Sequence, residues 1–359
     1  MSDTTLPLIT PAFAPATPGV DWPTAQWPRA RHPRHDVLDA VVDEMFTDEQ
    51  LAITNAVVVI QGGRVVAERY GGVREFFDRP AEPITNESPL ISWSMAKSML
   101  HCVIGTLVDA GEFDPNDLAP VPEWADEHDP RHHIRVRDLL AMRDGLAFNE
   151  SYVLGEPSHV IEMLFGEGQY DMAAFAASLP LAHEPNTVFN YSSGTTNVLS
   201  RIVADVVGYS DAYRSYLGQR LFGPLGMTSA DPTFDEHGVF VASSYVHATA
   251  LDFAKFGLLY LRGGEWDGRQ IISRAWARTA QIPLSVDETG AYYSWQWWVT
   301  GDEYGTYWAS GYEGQQISVV PALDALILRF GHTSEENAPL LYEWRRRVLD
   351  VLASAYAPS

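Results

Sequence analysis

Residues 91–100 read Ile-Ser-Trp-Ser-Met-Ala-Lys-Ser-Met-Leu, and this stretch decides the expected fold. Ser94 and Lys97 lie three residues apart, and an apolar helical pattern continues from them to Gly111. On a helix this spacing places both side chains on one face, one turn apart. A serine in the first turn also keeps a free backbone N–H that can stabilise an anion. The stretch therefore supplies the hydroxyl, the amine and the N–H donor of an acyl-transfer nucleophile.

The neighbours of Lys97 strengthen this interpretation. Met95, Ala96, Met99 and Leu100 surround it in the sequence, so we expect its amine to lie in an apolar setting. Such a setting lowers the pKa of a lysine and makes the amine a usable base. A helix N-terminus with a solvated lysine is the alternative, because Ser-x-x-Lys also occurs by chance.

Composition excludes several classes of partner. The 359 residues include 47 acidic and 24 basic side chains, which give a formal net charge of -23. Such a surface repels nucleic acid and anionic membranes. We find no signal-peptide pattern at the N-terminus and no run of about 20 apolar residues that would span a bilayer. The single cysteine, Cys102, permits no intrachain disulfide, so a cytoplasmic location is expected.

Strand patterns lie at both ends of the chain and helical patterns lie between them. A β-hairpin is predicted over residues 56–70, strands over 291–300, 316–320 and 325–330, and helices over most of 114–284, including 211–221. A last helix is predicted over 337–356, with the arginine run 345–347 as a solvated face. This order favours one α/β unit closed by both termini, with a helical insert.

A second candidate cluster lies at residues 185–194, where Tyr191 follows a short extended run and precedes a helix. A turn there would present the Tyr191 phenol and the Ser193 hydroxyl to a cleft. A tyrosine beside a lysine cation is expected to be pulled toward phenolate, so that it can take a proton from serine. A structural tyrosine that caps a loop is the alternative.

A third candidate cluster covers residues 308–316 and leads into an apolar strand. Gly311 lets the backbone approach a substrate closely. A strand-edge N–H facing Ser94 could complete an oxyanion hole. An ordinary glycine turn before a strand is the alternative.

A charged loop also holds potential metal ligands. These are His128, Asp129, His132 and His133, but no helical or strand spacing aims them together. The nucleophile elbow and the glycine-rich nucleotide loops are missing from the sequence. We therefore expect no metal site and no cofactor.

Together these segments resemble the class C β-lactamase and penicillin-recognising serine hydrolase superfamily over nearly all of residues 36–350. The segments that carry the resemblance occur in the family's order: Ser94-x-x-Lys97, 136–146, 189–193, 222–227, 248–257 and 311–315. The resemblance implies an α/β fold of the α+β type, with an antiparallel sheet flanked by N- and C-terminal helices. Residues 1–34 are rich in proline and poor in periodicity, so an extended arm is predicted there. For the rest of the chain we expect an α/β domain over 35–113 and 285–359 and a mostly helical domain over 114–284, with the active site in the cleft between them.

Departures from the family pattern narrow the expected activity. The family has a third motif, Lys-Thr-Gly, and its lysine and threonine are replaced here by Ala309 and Ser310. The asparagine of the family's Tyr-x-Asn motif is replaced by Ser193. These differences argue against antibiotic hydrolysis. The pattern is closer to the esterase-like branch and to the 6-aminohexanoate-oligomer hydrolases. In those amidases, a tyrosine that contacts substrate is expected at the position of Tyr152.

The implied reaction is hydrolysis of a small ester or amide through an acyl-enzyme on Ser94. Lys97 and Tyr191 act as base and acid, and the N–H groups of Ser94 and Tyr312 hold the oxyanion. Gly311, Ser193, Tyr152 and Ser310 complete the expected substrate-binding set. An acidic side chain for a substrate amine is left open between Glu150, Glu156 and Glu162.

Two other functions remain open. One is a D-amino-peptidase or weak β-lactamase of the same fold, against which the missing third-motif lysine counts. The other is a non-catalytic ligand-binding member, against which the intact Ser94, Lys97 and Tyr191 count. The oligomeric state is also open, and a homodimer is one candidate.

Overall fold

The computed structural model of the protein describes residues 6–7, 9–51, 53–74, 80–153 and 155–355. An eight-stranded antiparallel sheet lies at its centre, in the strand order β10-β11-β12-β13-β14-β15-β1-β2. The strands are β1 (Ile53–Gln61), β2 (Arg64–Tyr70), β3 (Val73–Arg74), β4 (Glu82–Pro83), β5 (Leu90–Ile91), β6 (Asp231–Pro232), β7 (Val246–Ala248), β8 (Glu265–Trp266), β9 (Arg269–Gln270), β10 (Ser285–Val286), β11 (Tyr292–Tyr293), β12 (Trp298–Val299), β13 (Tyr307–Gly311), β14 (Gln315–Val320) and β15 (Ala325–His332).

Helices cover both faces of this sheet. They are α1 (His35–Glu44), α2 (Met95–Asp109), α3 (Val136–Leu140), α4 (His159–Phe165), α5 (Met172–Ala177), α6 (Ser193–Val207), α7 (Asp211–Leu217), α8 (Gly223–Leu225), α9 (Ala250–Leu261), α10 (Arg274–Thr279) and α11 (Ala338–Ala353). The N- and C-terminal helices α1 and α11 pack together. The structure has two hydrophobic cores: α1 and α11 contribute to the smaller one, and the central helices α2 and α9 contribute to the larger one.

The strands divide their side chains between these two cores with the period of two that β-structure imposes. In β1, Val57 and Val59 join the core under α1 and α11. Ala56, Val58 and Ile60 join the larger core that contains α2 and α9. Because both faces of the strand are buried, β1 has a nearly continuous apolar sequence.

The predicted fold class is confirmed: the sheet is antiparallel and carries the terminal helices on one face. The hairpin between β1 and β2 turns at Gly62 and Gly63, whose φ angles are +59° and +71°. Such angles favour glycine and suit a two-residue hairpin turn.

The predicted N-terminal arm lies partly outside the described residues, since residues 1–5 and 8 are not described. Its remaining part packs on helix α9. The Ala14 N–H donates to the Leu261 carbonyl at 3.1 Å. The Trp27 indole donates to the Leu251 carbonyl at 3.0 Å. The division of the chain at residues 113/114 and 284/285 stays a prediction.

Two predicted elements are corrected. The helix expected over 211–221 ends at Leu217, and a π-helical turn covers Gly218–Phe222. The strand expected over 291–300 is two short strands, because Gln296 has a φ of +56° and donates its backbone N–H to Leu140, away from the sheet.

The arginine run on the last helix is the third correction. Arg345 is only 6% exposed and lies over the Trp308 ring at 4.8 Å and the Tyr342 ring at 5.2 Å. Arg346 and Arg347 are exposed as predicted. The run therefore straddles two faces of the helix, since consecutive residues are about 100° apart. Within the described ranges, no helix has the length and apolarity needed to cross a membrane.

Candidate active site

Ser94 lies at the N-terminal end of α2, directly after a strained residue. Strand β5 pairs with β7, and the Ser92 N–H donates to the Val246 carbonyl at 2.9 Å, which fixes the chain just before Ser94. Trp93 then has a φ of +44°, which is rare for a bulky side chain. Such strain persists only where the surroundings enforce it, and it often occurs at functional sites. Here the strain presents a half-buried Ser94 at the end of a buried helix.

Lys97 is held by three oxygen atoms. Its Nζ lies 3.0 Å from Ser94 Oγ, from Ser193 Oγ and from the Ser243 carbonyl oxygen. The side chain is only 1% exposed. Burial lowers the pKa of Lys97 to about 8, although the negative charge of Glu150 acts in the opposite direction. The neutral amine is therefore a minor but accessible species near physiological pH, and the lowered pKa agrees with the expectation from the apolar neighbours.

Tyr191 joins the same cluster but is not a phenolate. The Lys97 Nζ lies 4.9 Å from the centroid of its ring. Burial raises the pKa of Tyr191 well above its usual value, the nearby Glu150 charge raises it further, and a bond with Ser94 acts in the opposite direction. The prediction that Tyr191 is pulled toward phenolate is therefore wrong. A neutral phenol keeps its proton and can donate a hydrogen bond.

Ser193 and Glu150 complete the buried side of the cluster. Both the backbone N–H and the hydroxyl of Ser193 donate to the Glu150 carboxylate, at 2.8 and 2.6 Å. The Tyr152 hydroxyl donates to the same carboxylate at 3.0 Å. Glu150 was one of three candidates for binding a substrate amine, but its oxygens face protein donors. Glu156 and Glu162 bond within their own segments, to the Ser151 hydroxyl and the Glu167 N–H.

Strand β13 approaches Ser94 from the other side. A Cβ atom added at Gly311 would lie 2.3 Å from the Ser92 carbonyl oxygen, so only glycine allows this separation. Ser310 is half-buried and pairs with Gln316 in the sheet. The backbone of Tyr312 follows directly, at the end of the strand.

A group of aromatic side chains in mutual contact lies beside Ser94. Tyr152 and Tyr312 are 40% and 44% exposed, and their rings stack at 4.8 Å. Tyr312 also contacts Trp93 at 5.9 Å, and Trp93 contacts Tyr245 at 5.7 Å. Our reading of the sequence missed Trp93 and Tyr245 as components of the site. The position of Trp93 beside Ser94 was the available signal for it.

The potential metal ligands of residues 128–133 are not arranged around a common point. Among the described residues, no group of three or more His, Cys, Asp or Glu side chains is placed to hold a metal ion. A surface cavity of about 480 Å³ is lined by part of this segment, including His128 and Arg131, and shares no residue with the Ser94 cluster.

The chain matches a known protein family over most of its length. The Beta-lactamase family profile matches residues 38–352, and the chain belongs to this family of β-lactamase-fold serine hydrolases. The 6-aminohexanoate-dimer hydrolase of Paenarthrobacter ureafaciens is 29% identical over 302 residues, which cover 77% of this chain and 72% of that protein.

Solved structures agree on the fold. A candidate 6-aminohexanoate-dimer hydrolase from Bacillus anthracis superposes with a TM-score of 0.73 at 21% identity, covering 96% of this chain and 90% of the other. A family VIII carboxylesterase superposes with a TM-score of 0.70 at 14% identity, covering 92% and 99%. At these identities the structural likeness concerns the fold alone.

Proposed function

We propose that the protein hydrolyses small esters or amides through an acyl-enzyme on Ser94. The observation that carries this proposal is the contact between a half-buried serine hydroxyl and a fully buried amine of lowered pKa, at 3.0 Å. A serine is a weak nucleophile at its free pKa and needs such an adjacent base.

In the proposed first step, neutral Lys97 takes the Ser94 proton while Oγ attacks the substrate carbonyl carbon. The N–H groups of Ser94 and Tyr312 hold the developing oxyanion. The proton passes from Lys97 through the neutral Tyr191 hydroxyl to the leaving oxygen or nitrogen. Water then attacks the acyl-enzyme along the reverse proton path and frees Ser94. Tyr152 and Ser310 contribute to substrate binding.

The aromatic side chains around Ser94 favour a substrate with an apolar acyl group or an apolar leaving group. Trp93, Tyr152, Tyr245 and Tyr312 offer ring surface around Ser94. The named activity of the Paenarthrobacter relative favours an amide substrate. The two substrate classes need the same Ser94 chemistry, so the choice between them is a question for measurement.

Strong β-lactamase activity is not proposed. Ala309 occupies the family's third-motif lysine position and is fully buried in the core, so it places no ammonium group at the site. A D-amino-peptidase or weak β-lactamase activity and a non-catalytic ligand-binding role are the alternatives.

A three-substrate panel tests the proposal, with Ser94→Ala as the matched variant. The substrates are a short-chain nitrophenyl ester, the linear 6-aminohexanoate dimer and a chromogenic cephalosporin. We expect Ser94-dependent turnover of the ester or the dimer, with little hydrolysis of the cephalosporin. Cleavage of the cephalosporin alone would contradict the inference from Ala309. Turnover that persists in Ser94→Ala would contradict the nucleophile.

A further inference from the structure

In the described part of the chain, Glu150 is the one carboxylate that reaches the Lys97 cluster through hydrogen bonds. Its Oε1 accepts the Ser193 hydroxyl at 2.6 Å and the Tyr152 hydroxyl at 3.0 Å, and its Oε2 accepts the Ser193 N–H at 2.8 Å. Ser193 lies fully buried at the start of α6. The carboxylate therefore fixes both the backbone and the hydroxyl rotor of Ser193.

This arrangement determines what Ser193 can offer to Lys97. A serine hydroxyl has one proton and two lone pairs. Since the proton is directed at Glu150, only lone pairs face the Lys97 Nζ, 3.0 Å away. The Ser243 carbonyl, also 3.0 Å from Nζ, is an acceptor by its chemistry. Two of the three neighbours of Nζ can therefore only accept.

A neutral amine has two N–H bonds and one lone pair. If its two N–H groups point to Ser193 and Ser243, the lone pair is left facing Ser94 Oγ, the third neighbour. That is the orientation a base needs to take the serine proton. A freely rotating Ser193 hydroxyl could instead donate to the amine and engage the lone pair.

We propose that Glu150 is a positioning residue, which acts through Ser193 to hold the Lys97 lone pair toward Ser94. This inference rests on the proposed function of Ser94 and Lys97. The series of contacts from Ser94 through Lys97 and Ser193 to Glu150 resembles other activated nucleophiles, in which a third group orients the base. Glu150 hydrogen-bonds to Ser193 and Tyr152 and not to Ser94 or Lys97, so we assign it a positioning role and not a catalytic one.

The ionisable groups that face Lys97 are few. Glu150 acts on it from the loop before α4, and Tyr191 contacts it from the segment before α6. Tyr152 lies behind Glu150, and Tyr293 of β11 packs on Tyr191. Of these, Glu150 is the group whose negative charge raises the pKa of Lys97, so removing that charge should stabilise the neutral amine.

The test compares Glu150→Gln with wild type in ester hydrolysis over a range of pH. We expect kcat/KM at its plateau to fall by roughly tenfold to a hundredfold, because the base loses its orientation. We also expect the acid limb to move to lower pH by about 0.5 unit or more, because a negative charge near the ammonium is lost. Glu112→Gln, the same chemical change at an exposed carboxylate beyond the far end of α2, should leave both quantities unchanged.

Ser193→Ala provides the second measurement. If Glu150 acts through Ser193, the double variant should lose no more activity than the more severe single variant. Independent, additive losses would overturn the proposal. An acid limb that stays in place or moves to higher pH in Glu150→Gln would also overturn the proposal, whatever happens to the rate.

Ser94→Ala is assayed in parallel as a control. If its turnover persists, the proposed function itself fails. If Ser94 is required but Glu150→Gln behaves like wild type, only the role of Glu150 is refuted.

Discussion

Lys97 can act as a base because burial removes most of the water that would stabilise its ammonium form. The three oxygen atoms around Nζ replace part of that water, and Glu150 adds a negative charge that favours the cation. Desolvation is the larger effect, so the pKa of Lys97 still falls to about 8. The balance leaves both protonation states accessible near neutral pH, as acid–base catalysis requires.

The lysine pKa can be measured directly, because the chain contains only two lysines, Lys97 and Lys255. In protein labelled with 13C at lysine Cε, we expect two NMR signals. One of them should titrate with a midpoint of about 8 and should be missing in Lys97→Met. A Lys97 signal that titrates near the ordinary value of about 10.4 would contradict the burial argument.

At the residue scale, the sequence predicted the cluster of Ser94, Lys97, Tyr191 and Ser193, because the motif order resembles a known family. The roles assigned to these residues stay predictions. The predicted protonation state of Tyr191 was wrong, because a motif does not show whether a phenol will be buried. The hydrogen bond between Glu150 and Ser193 could not be predicted from the sequence, because it joins residues 43 positions apart.

Among the secondary-structure elements, strand β13 comes so close to the segment just before helix α2 that a Cβ atom added at Gly311 would lie 2.3 Å from the Ser92 carbonyl oxygen. We expect Gly311→Ala to lower kcat/KM by about a hundredfold, since a shift of about 1 Å in a site can cost that much. The backbone angles of Gly311 suit any residue, so the clash with the Ser92 carbonyl is the cause. Gly218→Ala, where an added Cβ meets nothing within 4 Å, should leave kcat/KM unchanged. Equal activities of the two variants would contradict the close approach.

His101 within α2 should make the fold sensitive to acid. Burial lowers the pKa of His101 to about 3, and its ring bonds to Tyr260 and Thr279. Below about pH 6.5 the unfolded chain takes up a proton that the folded chain does not, so stability falls as the pH falls toward 3. We expect this one group to lower the free energy of unfolding by about 2 kcal/mol between about pH 7 and about pH 5.

Urea unfolding at both pH values checks this prediction. His101→Gln should reduce the difference between the two pH values by about that amount, whereas His128→Gln, at an exposed position, should not. A His101→Gln protein with the pH dependence of wild type would show that another group is responsible.

The elements that were predicted well are long and strongly patterned. Strands β1 and β15 and helices α6 and α11 follow simple apolar periodicity. The errors lie where tertiary contacts override local pattern. Gln296 breaks a strand in order to bond with Leu140 and Thr196. Arg345 is buried because Trp308 and Tyr342 provide two ring faces for its guanidinium, and Trp308 comes from a strand that is distant in the sequence.

At the scale of the whole molecule, the larger hydrophobic core runs from β1 and α2 through α6 to β14 and β15. It therefore joins the parts of the chain predicted to be two domains. Sequence periodicity identifies which residues are apolar but not which distant apolar faces meet. That is why the fold class followed from the sequence while the division into domains stays a prediction.

The net charge of -23 should oppose the compact state through self-repulsion. Raising the salt concentration from roughly 0.01 M to about 1 M shortens the screening length from about 30 Å to about 3 Å. We therefore expect the melting temperature to rise by several degrees with sodium chloride. Tetramethylammonium chloride should act similarly if screening is the cause. A melting temperature that is flat or falls with salt would contradict this account of the surface.

The assignment of Ser94 as the nucleophile is tested by labelling the protein with a fluorophosphonate probe and locating the covalent adduct by mass spectrometry of the digested protein. We predict one adduct on Ser94, absent in Ser94→Ala, whose rate of formation increases with pH as Lys97 loses its proton around pH 8. An adduct on another residue, or no adduct in a protein that still hydrolyses its ester, would contradict the assignment of Ser94 as the nucleophile.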